Sequence, residues 1–258
     1  MPKKLGRLSM PGNNKTSIML QPRDLRLLEA LESMRVINRE QAAMVAGFAS
    51  RTRANERLLA LTRAAYLKRA FVGRREAVYW LASKPLHQEK KRGDSQAEPA
   101  SLFLNHQLEI NRVHLLVQYS GIPVRGWWFG CWRSFQTPLS TTIPLIPDGY
   151  CEIGSAQGVR SMFVEVDLGT EAVPILARKA SLYLQLAASG EFSQAFGRSQ
   201  FRVLLITTSD RRLQNIRAAI AKLTDKIFWM GTLDLVTVEK FWTACWHRPN
   251  GDQLQTIL

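Results

Sequence analysis

Two carboxylates alternate in the segment MFVEVDL. Read as a strand, it puts Phe163, Glu165 and Asp167 on one face and Val164, Val166 and Leu168 on the other. Carboxylates on one face of a mostly apolar strand repel one another and resist desolvation, and a divalent cation removes both costs. Asp148 stands seventeen residues before Glu165, in IPDGY, at the end of another strand-like run. Two neighbouring strands would bring Asp148 and Glu165 to one ion. Mg²⁺ suits such a set, since it takes one or two carboxylates together with water and substrate phosphate oxygens. The plainer reading is a Pro147-Asp148-Gly149 turn beside an edge strand whose acidic side faces water.

Lys179 adds a second clue. On a helix predicted over about 171–188, Arg178, Ser181 and Gln185 make the polar side. Lys179 lies at the centre of the opposite face with Ile175, Leu182, Tyr183 and Leu186. A lysine facing the sheet either snorkels past apolar surface or pairs with the carboxylates, where it would hold the attacking water or the scissile phosphate. Tyr183, one turn on, is a candidate nucleophile. A further helix, predicted over about 101–118, turns Leu102, Phe103, Ile110, Val113 and Val117 inward. His106 is in the middle of that face, as a core histidine or a site residue, and Glu109 at its edge is a candidate third carboxylate. Trp229, Trp242 and Trp246 read as core residues.

A second constellation is cationic. A helix predicted from about Ser50 to Ala64 packs Ala54, Leu58, Leu61 and Ala65 inward. It presents Thr52, Arg53, Glu56 and Arg63 outward, with Arg51 and Arg57 flanking. Guanidinium and short polar groups in that arrangement suit a helix entering a DNA major groove, where arginine reads guanine edges and others fix phosphates. Arg74 and Arg75, at the tip of a predicted hairpin, would reach the backbone or minor groove. The plainer reading is a solvated face on a small helical domain.

The elements that must position these residues fall into two groups. Pro22 and Asp24 open a first amphipathic helix, and Asn38 with Gln41 forms a capping-box pattern for a second, ended by Gly47. The arginine-bearing third helix and a hairpin around Gly-Arg-Arg follow, the element order of a winged helix-turn-helix. After a polar stretch comes an αβββαβα(β) order, a mixed α/β domain with a central sheet. The expected organisation is a flexible basic arm at 1–21, a winged helix DNA-binding domain at 22–83, a linker at 84–100 and the α/β domain at 101–258.

Charge follows the same division. The 258 residues carry 35 Lys+Arg against 21 Asp+Glu, a formal charge of +14, and residues 1–100 hold +11 of it. A polyanion, most simply double-stranded DNA, is the implied partner. A 46% hydrophobic and 22% charged composition supports a buried core and excludes a disordered or coiled-coil chain. No apolar run is long enough to span a membrane. Three cysteines without CxxC spacing (Cys131, Cys151, Cys245) argue against a zinc ribbon and suit the cytoplasm. No GxxxxGK[ST] loop marks an ATPase. A homodimer is compatible with a winged helix.

The blocks RDLRLLEAL, RVINREQ, SRTRANERLLAL, NHQLEIN, IPDGY, FVEVDLGTE and ARKASLY occur in that order over roughly residues 22–210. They resemble the successive motifs of the replication-relaxation family, which includes plasmid mobilisation relaxases of class C. The resemblance implies a restriction-endonuclease-like, PD-(D/E)xK-type core behind the winged helix. It also implies a bacterial, metal-dependent nickase using Mg²⁺ or Mn²⁺ at a plasmid or mobile-element origin, with transfer-machinery proteins as partners. By position, Asp148 takes the place of the motif's Asp and Glu165 that of its Asp/Glu. Asp167 stands where the wider superfamily usually has Lys, so either Lys179 replaces that lysine from the helix or Asp167 serves as another acidic ligand. Glu109 sits where the superfamily often has an acidic residue on its first helix. The four histidines are scattered, which sets the chain apart from relaxases of the histidine-cluster type. The alternative function is a DNA-binding accessory factor or repressor with a degenerate nuclease core.

Overall fold

Local signals decide where the first helices begin and end. The computed structural model describes residues 18–72, 76–83 and 98–258. Helix α1 (Pro22–Met34) starts where Asp24 Oδ2 accepts the Gln21 N–H at 2.6 Å. Strand β1 (Ile37–Asn38) leads into α2 (Arg39–Ala46). There Asn38 Oδ1 accepts the Gln41 N–H at 2.9 Å and Gln41 Oε1 accepts the Asn38 N–H at 3.4 Å, the reciprocal box expected. Gly47, at φ +67°, closes α2 in the left-handed region that glycine tolerates best. Ser50 caps α3 (Arg51–Arg63), which buries Ala54, Leu58 and Leu61. Ala65 does not continue that face, because the chain has left the helix and takes φ +59° there. Strands β2 (Leu67–Val72) and β3 (Glu76–Leu81) pair antiparallel, and β1 joins β3 to make a small sheet in the order β1-β3-β2.

The larger sheet has the order β4-β5-β6-β7-β8. Strands β4 (Trp127–Arg133), β5 (Gly149–Ser155) and β6 (Gly158–Asp167) run antiparallel in sequence. Then β7 (Arg202–Thr207) and β8 (Phe228–Thr232) lie parallel to β6. The crossovers are α5 (Val173–Ser189) with a short α6 (Glu191–Phe196), and α7 (Asp210–Ala221). A last short helix, α8 (Val238–Phe241), precedes the C-terminal segment. On one face of the sheet Phe163, Val203, Leu205, Phe228 and Met230 meet α5 and α7. On the other, Met162, Val164, Val166, Leu204 and Ile206 meet α4 (Glu98–Tyr119) and the Phe241–Trp246 region. The result is a mixed α+β fold with two sheets.

Three departures from the sequence reading have physical causes. TTIPLIPDGYCEI reads as one strand, but only its last part, from Gly149, belongs to β5, and residues 134–148 form no regular element. Ile143 and Leu145 are buried, as a strand would bury them, yet Pro144 and Pro147 have no N–H to give a ladder. Ile175 is exposed, because the inward stripe of α5 runs through Leu176, Ala180, Tyr183 and Leu186. Leu102 is 53% exposed, and the cause lies in α4 itself.

Helix α4 has two buried faces. Ile110, Val113, Leu116 and Val117 pack on the large sheet, while Leu104, Leu108 and Leu115 pack on the N-terminal elements. Asn111 Nδ2 donates to the carbonyls of Met34 and Val36 at 3.1 and 2.5 Å, and Gln41 Nε2 donates to the Leu108 carbonyl at 2.8 Å. The helix thus bonds the two groups of elements together. Asn111→Ala leaves two buried carbonyls without this donor and is expected to lower stability by roughly 1–3 kcal/mol, measurable by urea unfolding.

Candidate active site

Strand β6 is the central strand, so the acidic side chains of MFVEVDL lie inside the protein rather than in water. The register pairs Gly149 with Val164. Asp148, immediately before β5, therefore arrives beside Glu165 at one end of the sheet. Lys179 and Tyr183 reach the same place from α5, and His106 from α4 on the opposite face. Together they line a cavity of about 240 Å³.

Glu165 is gripped on both oxygens: Lys179 Nζ donates to Oε2 and the Tyr183 hydroxyl to Oε1. Burial pushes the Glu165 carboxyl up to about 7, the Asp148 charge adds to the rise, and Lys179 opposes it. Burial also disfavours charge on Lys179, but Glu165 and Asp148 outweigh that and keep it cationic. Asp148 Oδ2 accepts the Val166 N–H at 2.8 Å and lies 3.2 Å from His106 Nε2. Burial raises the Asp148 carboxyl, yet His106, Lys179 and the Val166 N–H together hold it below the usual range. His106 Nε2 is also 2.7 Å from the Val166 carbonyl. Burial disfavours the imidazolium, but these two acceptors win and shift it upward.

Asp167 lines the same cavity but is committed elsewhere. Thr207 Oγ1 donates to its Oδ2 at 2.6 Å, and Arg212 forks onto both oxygens. Thr207 is the register partner of Asp167 across β6 and β7, and Arg212 sits in the first turn of α7 behind its Ser209 cap. Sequence spacing carried no signal for either residue, because both depend on which strand lies next to β6. Glu109 is away from this cavity, 3.4 Å from Arg112 Nη1 and lining a different pocket. Tyr183 is 1% exposed, and burial first, then the Glu165 charge, pushes its hydroxyl well above its usual range. Among the described residues, no group of three or more His, Cys, Asp and Glu side chains is placed to hold a metal ion.

The cationic set is divided too. Arg51, Thr52, Arg53, Glu56 and Arg63 are exposed on α3. Arg57 turns inward, with Nε 3.0 Å from Asp24 Oδ1 and Nη2 bonded to Asp24 Oδ2 and to the Met19 carbonyl. A guanidinium in that position joins α3 to α1, so of the two flanking arginines Arg51 is exposed while Arg57 is engaged within the protein. Arg74 and Arg75 lie outside the described residues, as do residues 1–17 of the basic arm and 84–97 of the linker.

Residues 28–199, well over half of the chain, match the protein-family model described as replication-relaxation. The chain belongs to the replication-relaxation family. Membership points to a role in replication or mobilisation and implies interaction with DNA. The part of the chain matched to the replication-relaxation family runs from α1 to just before β7. It holds α3 and every titratable residue of the cavity described above, but neither Thr207 nor Arg212. No curated protein and no solved structure matches the chain. Among the described residues, no helix is long and apolar enough to cross a membrane.

Proposed function

We propose that the protein is a metal-dependent, site-specific DNA nickase that acts in the replication or mobilisation of a plasmid or other mobile element. The N-terminal elements act as a winged helix-turn-helix that docks on duplex DNA through the exposed side of α3. The large-sheet domain acts as a restriction-endonuclease-like, PD-(D/E)xK-type core that cuts one strand. The observation that carries this reading is the convergence of Asp148, Glu165 and Lys179 on one cavity at the end of the central strand.

The donor set fits a divalent cation. Two carboxylates face one cavity, and Mg²⁺ or Mn²⁺ needs no more than that when water and phosphate oxygens complete the shell. Burial is the main cause of the raised Glu165 carboxyl, with the Asp148 charge adding to it against the pull of Lys179, and a bound cation would offset both. Asp148 and Glu165 would hold the ion, and Asp167, forked by Arg212, is left as a structural group. When bound, the ion would neutralise charge on the scissile phosphate and lower the pKa of a coordinated water. Lys179 supplies from α5 the cation that position 167 lacks, and stabilises charge developing on the phosphate. His106 orients Asp148. The Tyr183 hydroxyl fixes Glu165 and, buried and bonded to a carboxylate, acts as a positioning group rather than as the nucleophile.

One observation favours the second reading, a DNA-binding accessory factor or repressor. Both Glu165 oxygens already accept protein donors. Incubation of supercoiled plasmid carrying the protein's own origin region with Mg²⁺ or Mn²⁺ separates the two. The nickase reading expects open-circular product that disappears with EDTA. Specific binding with no nicking in either metal supports the accessory factor and overturns the nickase.

A further inference from the structure

We propose that the opposite end of the large sheet is a phosphate-binding site for a single nucleic-acid strand, built by Arg160, Arg202, Lys226 and Arg248 around Trp229. These residues line a cavity of about 510 Å³. Arg160 lies near the start of β6, Arg202 begins β7 and Trp229 is the second residue of β8. The register aligns Met162 with Arg202 and Leu204 with Trp229, so Arg160, Arg202 and Trp229 share one sheet face. The site lies five residues along β6 from Glu165, roughly 16 Å away at the usual strand rise.

Four cations gather here. None is within ion-pair distance of a carboxylate among the described residues. Asp225 acts on Arg248 only at longer range. The guanidinium groups of Arg248 and Arg202 lie 3.6 and 4.4 Å from the Trp229 ring centroid, and that of Arg160 lies 5.3 Å from the centroid of Trp127. Main-chain carbonyls fix two of them: Arg248 donates to Phe228 and Asp225, each at 2.9 Å, and Arg202 to Ile257. Arg160 Nε and Trp229 Nε1 are buried and have no acceptor among the described residues. Burial, with Arg160 and Arg248 adding their repulsion, pushes Arg202 down to about 10.

Like charges held together and partly dried are stressed until an anion enters. Arginine suits phosphate oxygens because its donors form a fixed fork. The ring of Trp229 is taken up by two guanidinium groups, so it sets their spacing and does not stack on bases. Recognition is therefore through the backbone and independent of sequence. The cavity is larger than one phosphate needs, and its cations are spread over the starts of β6 and β7, the turn before β8 and the C-terminal segment. Its size admits one backbone but not a duplex. This site does not depend on cleavage in the Asp148–Glu165 cavity.

The test uses the full chain and the double variant Arg160→Gln/Lys226→Gln, since neither side chain makes a hydrogen bond that holds another element. Fluorescence anisotropy with a mixed-sequence 30-mer reads affinity across a salt series. Loss of two phosphate contacts is expected to weaken single-strand binding about 10-fold and to flatten the log–log salt slope by about 1.4. Duplex binding and the thermal midpoint should not change. Unchanged single-strand affinity and slope overturn the proposal. Calorimetric titration with inorganic phosphate is the second arm. Phosphate binding lost in the variant while strand binding persists identifies a small-anion pocket and overturns the strand. Should the double variant melt early, Lys226→Glu alone, at an exposed position, carries the same test with an expected loss of about 5-fold.

Discussion

Glu165→Gln is expected to lower nicking of supercoiled plasmid by about 10²–10³-fold or more while leaving DNA affinity within about two-fold. Glutamine keeps the size of the side chain and can still accept from Tyr183, so the fold is spared. It removes the negative charge that a divalent ion requires and that holds Lys179 in place. Losing one preorganised electrostatic group at a reacting phosphate costs on this scale. Lys179→Met should give a loss of similar size through the other half of the pair. Tyr183→Phe separates positioning from attack: with the hydroxyl gone, Glu165 keeps Lys179, and a loss of about 10-fold is expected. Product covalently linked to the wild-type chain, with no cleavage at all by Tyr183→Phe, would instead make Tyr183 the nucleophile. Each variant is measured by gel densitometry of open-circular product against time, beside anisotropy on the same origin duplex.

What the sequence showed of this site follows from which signals are local. Strand alternation put Glu165 and Asp167 on one face, and helical spacing turned Lys179 and Tyr183 toward the sheet. Both signals survive because period and burial are properties of a single element. That β6 is central, and that Asp148 arrives opposite Glu165, required the strand order, which alternation does not encode. The Arg212–Thr207 clamp on Asp167 depends on the same strand order. Alternation alone gives Asp167 and Glu165 the same face, although one is forked by Arg212 and the other is held by Lys179 and Tyr183.

Helix α4 shows the opposite failure. A single core face, traced by helical angle, places Leu102 inside. A helix buried on two sides has apolar residues all round, and no angle singles out the correct stripe. Its polar residues carried better information. Asn111 and Gln107 are buried within an otherwise apolar helix, and a buried amide needs partners outside its own helix or along it. The partners of Asn111 are carbonyls next to β1, which is how α4 comes to join the two groups of elements.

Arg57→Ala is expected to destabilise the protein by about 3–5 kcal/mol, the scale for leaving one partner of a buried ion pair uncompensated. Asp24 is 0% exposed and Arg57 19%, so the cost falls on the carboxylate left behind. Arg51→Ala/Arg53→Ala, at exposed positions, should leave stability within about 0.5 kcal/mol and flatten the salt slope for duplex binding by about 1.8. The pH dependence identifies the cause. Burial alone would raise the Asp24 carboxyl, but Arg57 and the Gln21 N–H hold it below its usual value. In the wild type, Asp24 therefore contributes stability that is present above its unfolded pKa, near 3.9, and is lost as pH falls through the lower folded value. Without Arg57, burial is opposed only by the Gln21 N–H and Arg23, so the folded pKa moves upward and the stabilising contribution of Asp24 shrinks. The gap between variant and wild type should be full at pH 7 and shrink as pH falls toward 3. Urea unfolding at three pH values measures it. A gap that stays constant with pH would mean that Arg57 supports α3 through packing and not through the Asp24 charge.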